Sequence, residues 1–219
     1  MSGVSKPLDP VALASLLASR VCHDLINPVG ALGSGLEVLE DKDLDPPMRD
    51  AANDLIKSGG KKSIALLKFA RLAYGAAGGF GAQIPMEEAE AAIKEIYHWC
   101  KAELDWRVPP GLASKEEVKV VLILAQAAAD CVPRGGKVTV SATGEGYLVE
   151  AAGPRAMLHA ELLSALAGDV AELKPKFAPA YIAGLLARET GGGVDAALEG
   201  ERVVLKGRFV SATKRVAAR

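Results

Sequence analysis

Apolar residues recur at intervals of three or four along the first forty positions, which predicts one helix from about residue 8 to residue 43, packed along a single face. Asp45 followed by Pro46 is a typical start for a second helix, from about residue 46 to residue 75, because the carboxylate accepts from free N–H groups and proline suits the first turn. The apolar stripe of the first helix comprises Leu13, Leu17, Val21, Leu25, Val29, Leu32, Leu36 and Leu39. The apolar or small face of the second comprises Leu55, Ile56, Gly59, Leu66, Ala70, Ala73 and Ala77.

The short connection between these helices makes them antiparallel neighbours, and a glycine-rich segment at 75–79 ends the hairpin. A two-helix hairpin cannot bury both sides of its apolar stripes, and Leu16 and Ile26 lie off the main stripe. Pairing two hairpins into a four-helix bundle would cover this surface, so residues 8–79 are predicted to form a homodimerisation domain. The alternative is a hairpin that packs only on the C-terminal half of its own chain.

After the glycine-rich segment the pattern changes to short helices and alternating strands, which predicts a second domain over residues 83–213. Ser114 and Glu117 form a capping box at the start of one of its helices. The fold class is therefore α+β: the helical hairpin, followed by an α/β sandwich with helices on one face of a mostly antiparallel sheet. The expected order is helix 85–102, strand 104–108, helix 114–130, strands 137–142 and 146–151, helices 156–167 and 176–190, and strands 194–198 and 202–210.

The composition limits the classes of partner. A net charge of -1 gives no electrostatic basis for binding nucleic acid or an anionic membrane. No apolar run approaches the roughly 20 residues that span a bilayer, and residues 1–7 lack the apolar core of a signal peptide. The scattered cysteines form no paired motif, and His98 has no second ligand at a spacing typical of a metal site. We therefore expect a cytoplasmic protein without a metal site.

One histidine of the first helix has polar neighbours that resemble a reactive site. Helical rotation of about 100° per residue points His23 about 200° away from Val21, out of the hairpin. Imidazole is nucleophilic and titrates near neutral pH, so an exposed histidine on a rigid helix can carry a phosphoryl group. The plainer interpretation, a helix that merely contains a histidine, is weakened by the residues on the same polar arc. These are Arg20, Asp24, Asn27, Gly30 and Ser34.

Two reactions suit this arrangement. In phosphotransfer, His23 attacks the acyl phosphate of an aspartate on a partner, while Asp24 orients the imidazole ring. In hydrolysis, Asn27 instead positions a water molecule against the partner's aspartyl phosphate. Ordinary solvated helix residues are the alternative for both Asp24 and Asn27. Pro28 lacks an N–H group, so we also expect a local kink near the histidine.

Small and basic residues indicate where a partner would bind. Gly30 and Ser34 would allow a partner helix to approach closely, and Arg20 on the same arc is also expected to bind the partner. Four basic residues share one face of the second helix and would attract an acidic surface, although such a stripe is more often simply solvated. They are Lys57, Lys61, Lys68 and Arg71.

The segment from His23 to Pro28 resembles the phosphotransfer region of sensor histidine kinases, in which a His-acid pair precedes a proline. Asp24-x-x-Asn27 is similar to the motif linked to phosphatase activity in those kinases. The α+β segment resembles their ATP-binding domain, so the resemblance spans roughly residues 10–210. It implies a homodimeric four-helix bundle that is phosphorylated on His23.

The nucleotide motifs of those kinases are altered in this chain. With the turn at 133–136 as the anchor, their Mg²⁺-binding asparagine becomes Ala127. Their adenine-binding box becomes residues 151–155, and their glycine-rich phosphate loop becomes residues 177–180. ATP needs a metal ligand, an acceptor for the adenine amine and close backbone approach to its phosphates. Because all three are missing, we expect no ATP binding and no cofactor on this chain.

A degenerate kinase of this kind resembles the ChpT-type histidine phosphotransferases of alphaproteobacterial phosphorelays. That resemblance implies transfer between receiver domains, from a hybrid histidine kinase to response regulators that control the cell cycle. His23 would carry the phosphoryl group, and the partner receiver would bring Mg²⁺. Three alternatives stay open: an active ATP-dependent histidine kinase, a receiver phosphatase that depends more on Asn27 than on His23, and a non-catalytic dimeric adaptor.

Overall fold

A computed structural model of the protein describes residues 8–75 and 83–210. The chain begins with two antiparallel helices, α1 (Pro10–Leu39) and α2 (Pro46–Ala73). Asp9 caps α1, and Asp45 caps α2 by accepting from the backbone N–H of Met48 at 2.8 Å. The predicted hairpin is therefore present, with each helix a few residues shorter than expected. Most of the predicted glycine-rich linker lies outside the described residues.

Glycines let the two helices pack closely. An ideal Cβ at Gly59 of α2 would lie 2.6 Å from the backbone oxygen of Pro28, and one at Gly35 would lie 2.6 Å from the Ile56 side chain. Both glycines and Pro28 are buried in the hairpin. Helix α1 continues through Pro28 as one element.

The remaining elements form the predicted α/β sandwich. Its strands are β1 (Gln83–Pro85), β2 (Ala102–Arg107), β3 (Leu112–Ser114), β4 (Gly136–Thr143), β5 (Gly146–Ala152), β6 (Gly193–Glu199) and β7 (Arg202–Arg208). Its helices are α3 (Met86–Tyr97), α4 (Lys115–Asp130), α5 (Ala160–Ala167) and α6 (Ala178–Glu189), and a 3₁₀ turn, Pro175–Phe177, precedes α6. Ser114 caps α4 by accepting from the backbone N–H of Glu117 at 3.2 Å, as the capping box predicts.

The main sheet has the strand order β2-β4-β5-β7-β6. All its pairs are antiparallel except β2 and β4, which are parallel because α4 connects them as a crossover helix. The predicted sheet of mostly antiparallel strands is confirmed. The sequence pattern missed the short pair β1 and β3.

Helix α4 lies at the centre of the core. It is apolar nearly all round, and its residues from Val120 to Ala125 are all buried. The same apolar cluster includes Phe69, Leu72 and Ala73 from the end of α2. The C-terminal part of the hairpin is thus packed into the sandwich, and the division at residues 79–83 stays a prediction. The described helices include none that is long and apolar enough to cross a membrane.

Candidate functional site

His23 projects from α1 into solvent. Its side chain is 81% exposed, in agreement with the direction that helical rotation predicts. The ring atom Nδ1 lies 3.4 Å from Oδ1 of Asp24. The other ring nitrogen, Nε2, has no protein partner among the described residues. The arrangement therefore presents one ring nitrogen to an incoming group and the other to a carboxylate.

Asp24 forms an ion pair with Arg20, one helical turn earlier on α1. Nε of Arg20 lies 2.8 Å from Oδ2 of Asp24, and the two side chains are only 14% and 19% exposed. Nη1 of Arg20 also donates to the backbone carbonyl of Lys176 at 3.5 Å. The sequence analysis placed Arg20 on the outward polar arc as a partner-binding residue. The side chain is instead largely buried, because the 3₁₀ turn and α6 pack against this side of α1, and its role in binding a partner stays a prediction.

Tyr74 and Gln126 lie behind the same carboxylate, where α2 meets α4. The Tyr74 hydroxyl donates to Oε1 of Gln126 at 2.9 Å. Burial is the largest cause that raises the pKa of Tyr74 well above its usual range, and Asp24 adds to the effect. Tyr74 therefore stays neutral, and it lines a small cleft with Asp24 and Leu25.

His23 lies on the wall of an open groove of about 630 Å³ between α1 and the sandwich. The α1 side is formed by Ser19, Arg20, His23 and Asp24, and the opposite side by Asp130, Lys174, Pro175 and Lys176. Sequence reasoning missed the two lysines because they lie about 150 positions from His23 in the chain. The only local signal was a pair of basic residues on either side of a proline.

The groove lysines already have weak acidic partners. Nζ of Lys174 lies 3.4 Å from Glu161, and Nζ of Lys176 lies 4.0 Å from Asp130. Both pairs are about half exposed, so they are screened by solvent and easily exchanged for a stronger anion.

The structure leaves three predicted site residues on open surface. Asn27 is exposed one helical turn after His23. Gly30 and Ser34 follow on the same helix and are also exposed. An ideal Cβ at Gly30 meets nothing within 4 Å in the described part of the chain. All three residues are therefore accessible to a partner, as water positioning by Asn27 and close helix approach at Gly30 and Ser34 would require.

The basic stripe of α2 lies apart from the histidine. Lys68 pairs with Glu95 of α3 at 3.0 Å, and Arg71 approaches Glu88 of α3 at 3.6 Å. Lys57 lies 3.7 Å from Asp54 on its own helix. Lys61 is exposed on the same face, and none of the four lines the groove of His23. Lys68 and Arg71 are thus already paired with carboxylates of α3, and the role of the stripe in binding a partner stays a prediction.

A small cavity lies where the kinase resemblance locates the nucleotide. Its volume is about 30 Å³, whereas ligand pockets are about 300–1,000 Å³. Its lining residues include Ala127, Pro179, Ala180, Arg20, Phe177 and His159. Arg155 has a φ of 59°, a conformation that favours glycine, at the position of a motif glycine. The backbone at this position thus keeps a conformation that suits the glycine of the kinase motif.

The described residues form no cluster of three or more His, Cys, Asp or Glu side chains that could hold a metal ion. Asp24 and Asp130 both line the groove of His23, but each is paired with a basic side chain.

The chain thus combines a histidine-bearing helical hairpin with a sheet that is backed by helices. A family model for the histidine phosphotransferase C-terminal domain matches residues 86–202. Because that match covers more than half of the chain, the chain belongs to the histidine phosphotransferase family.

Protein phosphotransferase ChpT of Brucella abortus (strain 2308) is 39% identical over 137 residues. The match covers 63% of this chain and 64% of the relative, which is less than two thirds of that protein's length. A solved bacterial phosphotransferase aligns with a TM-score of 0.80 at 30% identity, over 91% of this chain and 97% of that chain. The Acinetobacter baumannii histidine kinase AdeS aligns at 12% identity with a TM-score of 0.43, over 86% of this chain and 98% of that chain. The match to the bacterial phosphotransferase confirms the predicted α+β fold.

Proposed function

We propose that this protein relays phosphoryl groups between aspartates of receiver domains through phospho-His23, without binding ATP. The observation that carries the proposal is the environment of the imidazole. His23 is exposed, its Nδ1 faces the Asp24 carboxylate at 3.4 Å, and a broad groove separates it from Lys174 and Lys176. Membership of the histidine phosphotransferase family supports phosphotransfer as the class of reaction.

In the proposed step, the lone pair of His23 Nε2 attacks the phosphorus of a partner's aspartyl phosphate. The bond from phosphorus to the carboxyl oxygen breaks, and the aspartate leaves as a carboxylate. The proton on Nδ1 stays in place, so no separate base is needed. The imidazole ring becomes positively charged, and Asp24 stabilises that charge across the 3.4 Å contact.

The groove lysines would stabilise the negative charge of the transferring group and of the partner. Lys174 and Lys176 line the wall opposite His23, and each is paired with a half-exposed carboxylate. An incoming phosphoryl group carries more negative charge than one carboxylate, so it would displace the carboxylates from the two lysines. We expect Mg²⁺ to arrive with the acidic site of the receiver, since no described cluster on this chain is suited to hold it.

Two observations support the proposal that ATP is not the phosphoryl source. The cavity beside α4 has a volume of about 30 Å³, well below the roughly 300–1,000 Å³ of ligand pockets. Its wall carries Ala127, a methyl group that cannot ligate a metal ion. In the proposed relay the phosphoryl group comes instead from another protein, a phosphorylated receiver.

An exposed apolar stripe on α1 supports the proposed homodimer. Cys22, Ile26, Val29, Gly33 and Leu36 recur at alternating spacings of four and three, and all five are exposed. Ile26 is 67% exposed and Leu36 is 57% exposed in the single chain. Such a stripe is the seam of a left-handed helical bundle, so a second copy of the hairpin is its proposed occupant. The small residues Gly30 and Gly33 would let the partner helix approach.

The proposed partners are the receiver of a hybrid histidine kinase as donor and the receivers of cell-cycle response regulators as acceptors. The resemblance to ChpT-type proteins and the 39% identity to a protein named phosphotransferase ChpT support this choice. A cytoplasmic location is part of the same proposal, because such receivers lie in the cytoplasm.

A transfer assay tests the proposal. A phosphorylated receiver is mixed with the protein, and acid-labile label is sought on the chain. The matched variants are His23→Gln, His98→Gln and His159→Gln, since the chain has 3 histidines. We expect His23→Gln alone to lose the label. Label that survives in His23→Gln would refute the proposal, and so would an unlabelled wild-type chain.

Phosphatase activity is a second candidate, favoured by the exposure of Asn27 one turn after His23. An amide there can position a water molecule against an aspartyl phosphate bound in the groove. Release of inorganic phosphate that persists in His23→Gln but fails in Asn27→Ala would favour this activity over relay.

A further inference from the structure

We propose that Arg20 is the residue through which the C-terminal domain positions His23 for reaction. The inference rests on the proposed phosphotransfer function and adds to it a positioning residue. Arg20 does not touch the reacting atoms, and it acts on them through Asp24.

A continuous chain of contacts leads from the sandwich to the imidazole. The Lys176 carbonyl accepts from Nη1 of Arg20 at 3.5 Å, and Nε of Arg20 lies 2.8 Å from Oδ2 of Asp24. The other carboxylate oxygen, Oδ1, lies 3.4 Å from His23 Nδ1. Each oxygen of Asp24 therefore has a different partner, which fixes the plane of the carboxylate.

The arginine pair is better placed to fix geometry than an ordinary surface pair. Exposed ion pairs contribute little because both side chains remain mobile and solvated. Here the side chains of Arg20 and Asp24 are 14% and 19% exposed, and Arg20 lies against the cavity lined by Gln126 and Ala127. The arginine thus lies between α1 and the C-terminal domain, where it donates to the Lys176 carbonyl.

Arginine is suited to this role because its planar guanidinium donates in several fixed directions. Nε faces the carboxylate while Nη1 faces the carbonyl of Lys176. A lysine has one terminal ammonium and cannot reproduce both contacts with the same geometry. A lysine at position 20 would therefore keep the positive charge but lose part of the contact geometry.

The chemical consequence concerns the tautomer of His23. A carboxylate fixed beside Nδ1 favours the proton on Nδ1, which leaves the lone pair of Nε2 free to attack phosphorus. Without Arg20, Asp24 can turn toward solvent, and the ring then populates the tautomer with its proton on Nε2. In that tautomer the exposed nitrogen is not a nucleophile, so the attack on the aspartyl phosphate slows.

The test uses Arg20→Gln, Arg20→Lys and a matched control, Arg49→Gln, which removes an exposed arginine of α2 outside the groove. The tautomer of His23 is read from its ring ¹⁵N shifts at alkaline pH, in the unphosphorylated protein. The rate of transfer from a phosphorylated receiver is measured at saturating receiver, and KM is measured separately. Circular dichroism monitors folding.

We expect Arg20→Gln to increase the Nε2-protonated tautomer and to slow saturated transfer about 10- to 100-fold, the range found when a group that orients a metal-binding imidazole is removed. KM should stay within about twofold of wild type, because only 14% of the Arg20 side chain is exposed to a partner. Arg20→Lys should be intermediate in both readouts, and Arg49→Gln should match the wild type. If Arg20→Gln does not fold, Arg20→Lys alone tests the inference. A wild-type tautomer population and a wild-type rate in Arg20→Lys would then overturn it.

A double-mutant cycle completes the test. If Arg20 acts through Asp24, Arg20→Gln should cause no further loss in an Asp24→Asn background. The same fold-loss in both backgrounds would overturn the inference, as would an unchanged tautomer or an effect confined to KM. Failure of the proposed function looks different, because the wild-type chain would then accept no phosphoryl group while the tautomer readout remained measurable.

Discussion

Gly59 lies where α2 packs on the backbone of α1, close to the helical turn that carries His23. Replacement with alanine would place a Cβ 2.6 Å from the carbonyl oxygen of Pro28, whereas real Cβ atoms essentially never come within 3.0 Å of another heavy atom. The obstacle is backbone, so no side-chain rotation can relieve it. The helices would have to separate by a few tenths of an ångström. Gly60 offers a matched control, because a Cβ there meets only Cδ2 of Leu32 at 3.7 Å.

The expected magnitude follows from two opposing effects. Gly→Ala in a helix interior stabilises a protein by about 1 kcal/mol, and this gain applies to both variants. Overpacking costs about 1–3 kcal/mol and applies only to Gly59→Ala. The free energy of unfolding of Gly59→Ala should therefore lie about 2 kcal/mol below that of Gly60→Ala. For a protein of this length the difference corresponds to about 4–8 °C in Tm.

Thermal unfolding of both variants, followed by circular dichroism, measures this difference. Protein concentration must be equal throughout, because the Tm of a dimer depends on it. Gly60→Ala should melt at or above the wild-type temperature, and Gly59→Ala below Gly60→Ala. If Gly59→Ala is as stable as Gly60→Ala, the close packing of the hairpin at Pro28 is not as described.

Three other predictions follow from named contacts. Asn27→Ala should leave transfer to His23 intact while slowing any release of inorganic phosphate from the receiver; equal release in both proteins would exclude a role in hydrolysis. Ile26→Asp combined with Leu36→Asp should weaken the proposed homodimer at least about tenfold, since each apolar side chain contributes about 1.5–3 kcal/mol when buried. Analytical ultracentrifugation measures the mass of the assembly, and an unchanged mass would show that this stripe is not the dimer interface. Hydrogen bonds from Arg107, and then from Lys137, lower the pKa of Asp105 to about 2. The stability that these ion pairs contribute is therefore present above the unfolded pKa of about 3.9. It is lost as the pH falls through about 2. In an NMR titration Arg107→Met should raise that pKa, and an unchanged value would contradict the assigned cause.

The hairpin could be predicted from the sequence because its signals are local. Apolar spacing along α1 and the Asp45-Pro46 start of α2 depend only on neighbouring residues, and both helices are present. The exposure of His23 followed from the same rotation of the helix. The capping box at Ser114 was equally local, and the cap is present.

The environment of the histidine could not be predicted because it depends on contacts between distant segments. Helical rotation gave the direction of Arg20 but not the turn at Pro175–Phe177 that covers it. Lys174 and Lys176 reach the groove through the fold of the sandwich alone. Three-residue strands such as β1 are too short for an alternating pattern, so the pair of β1 and β3 left no signal.

The source of the phosphoryl group on His23 is the central claim. The most direct measurement incubates the protein separately with labelled Mg-ATP and with a labelled phospho-receiver, then compares the acid-labile label on each sample. The account predicts rapid labelling from the receiver, none from Mg-ATP, and none from either donor in His23→Gln. Label from Mg-ATP that depends on His23 would contradict it and would identify the protein as an active histidine kinase.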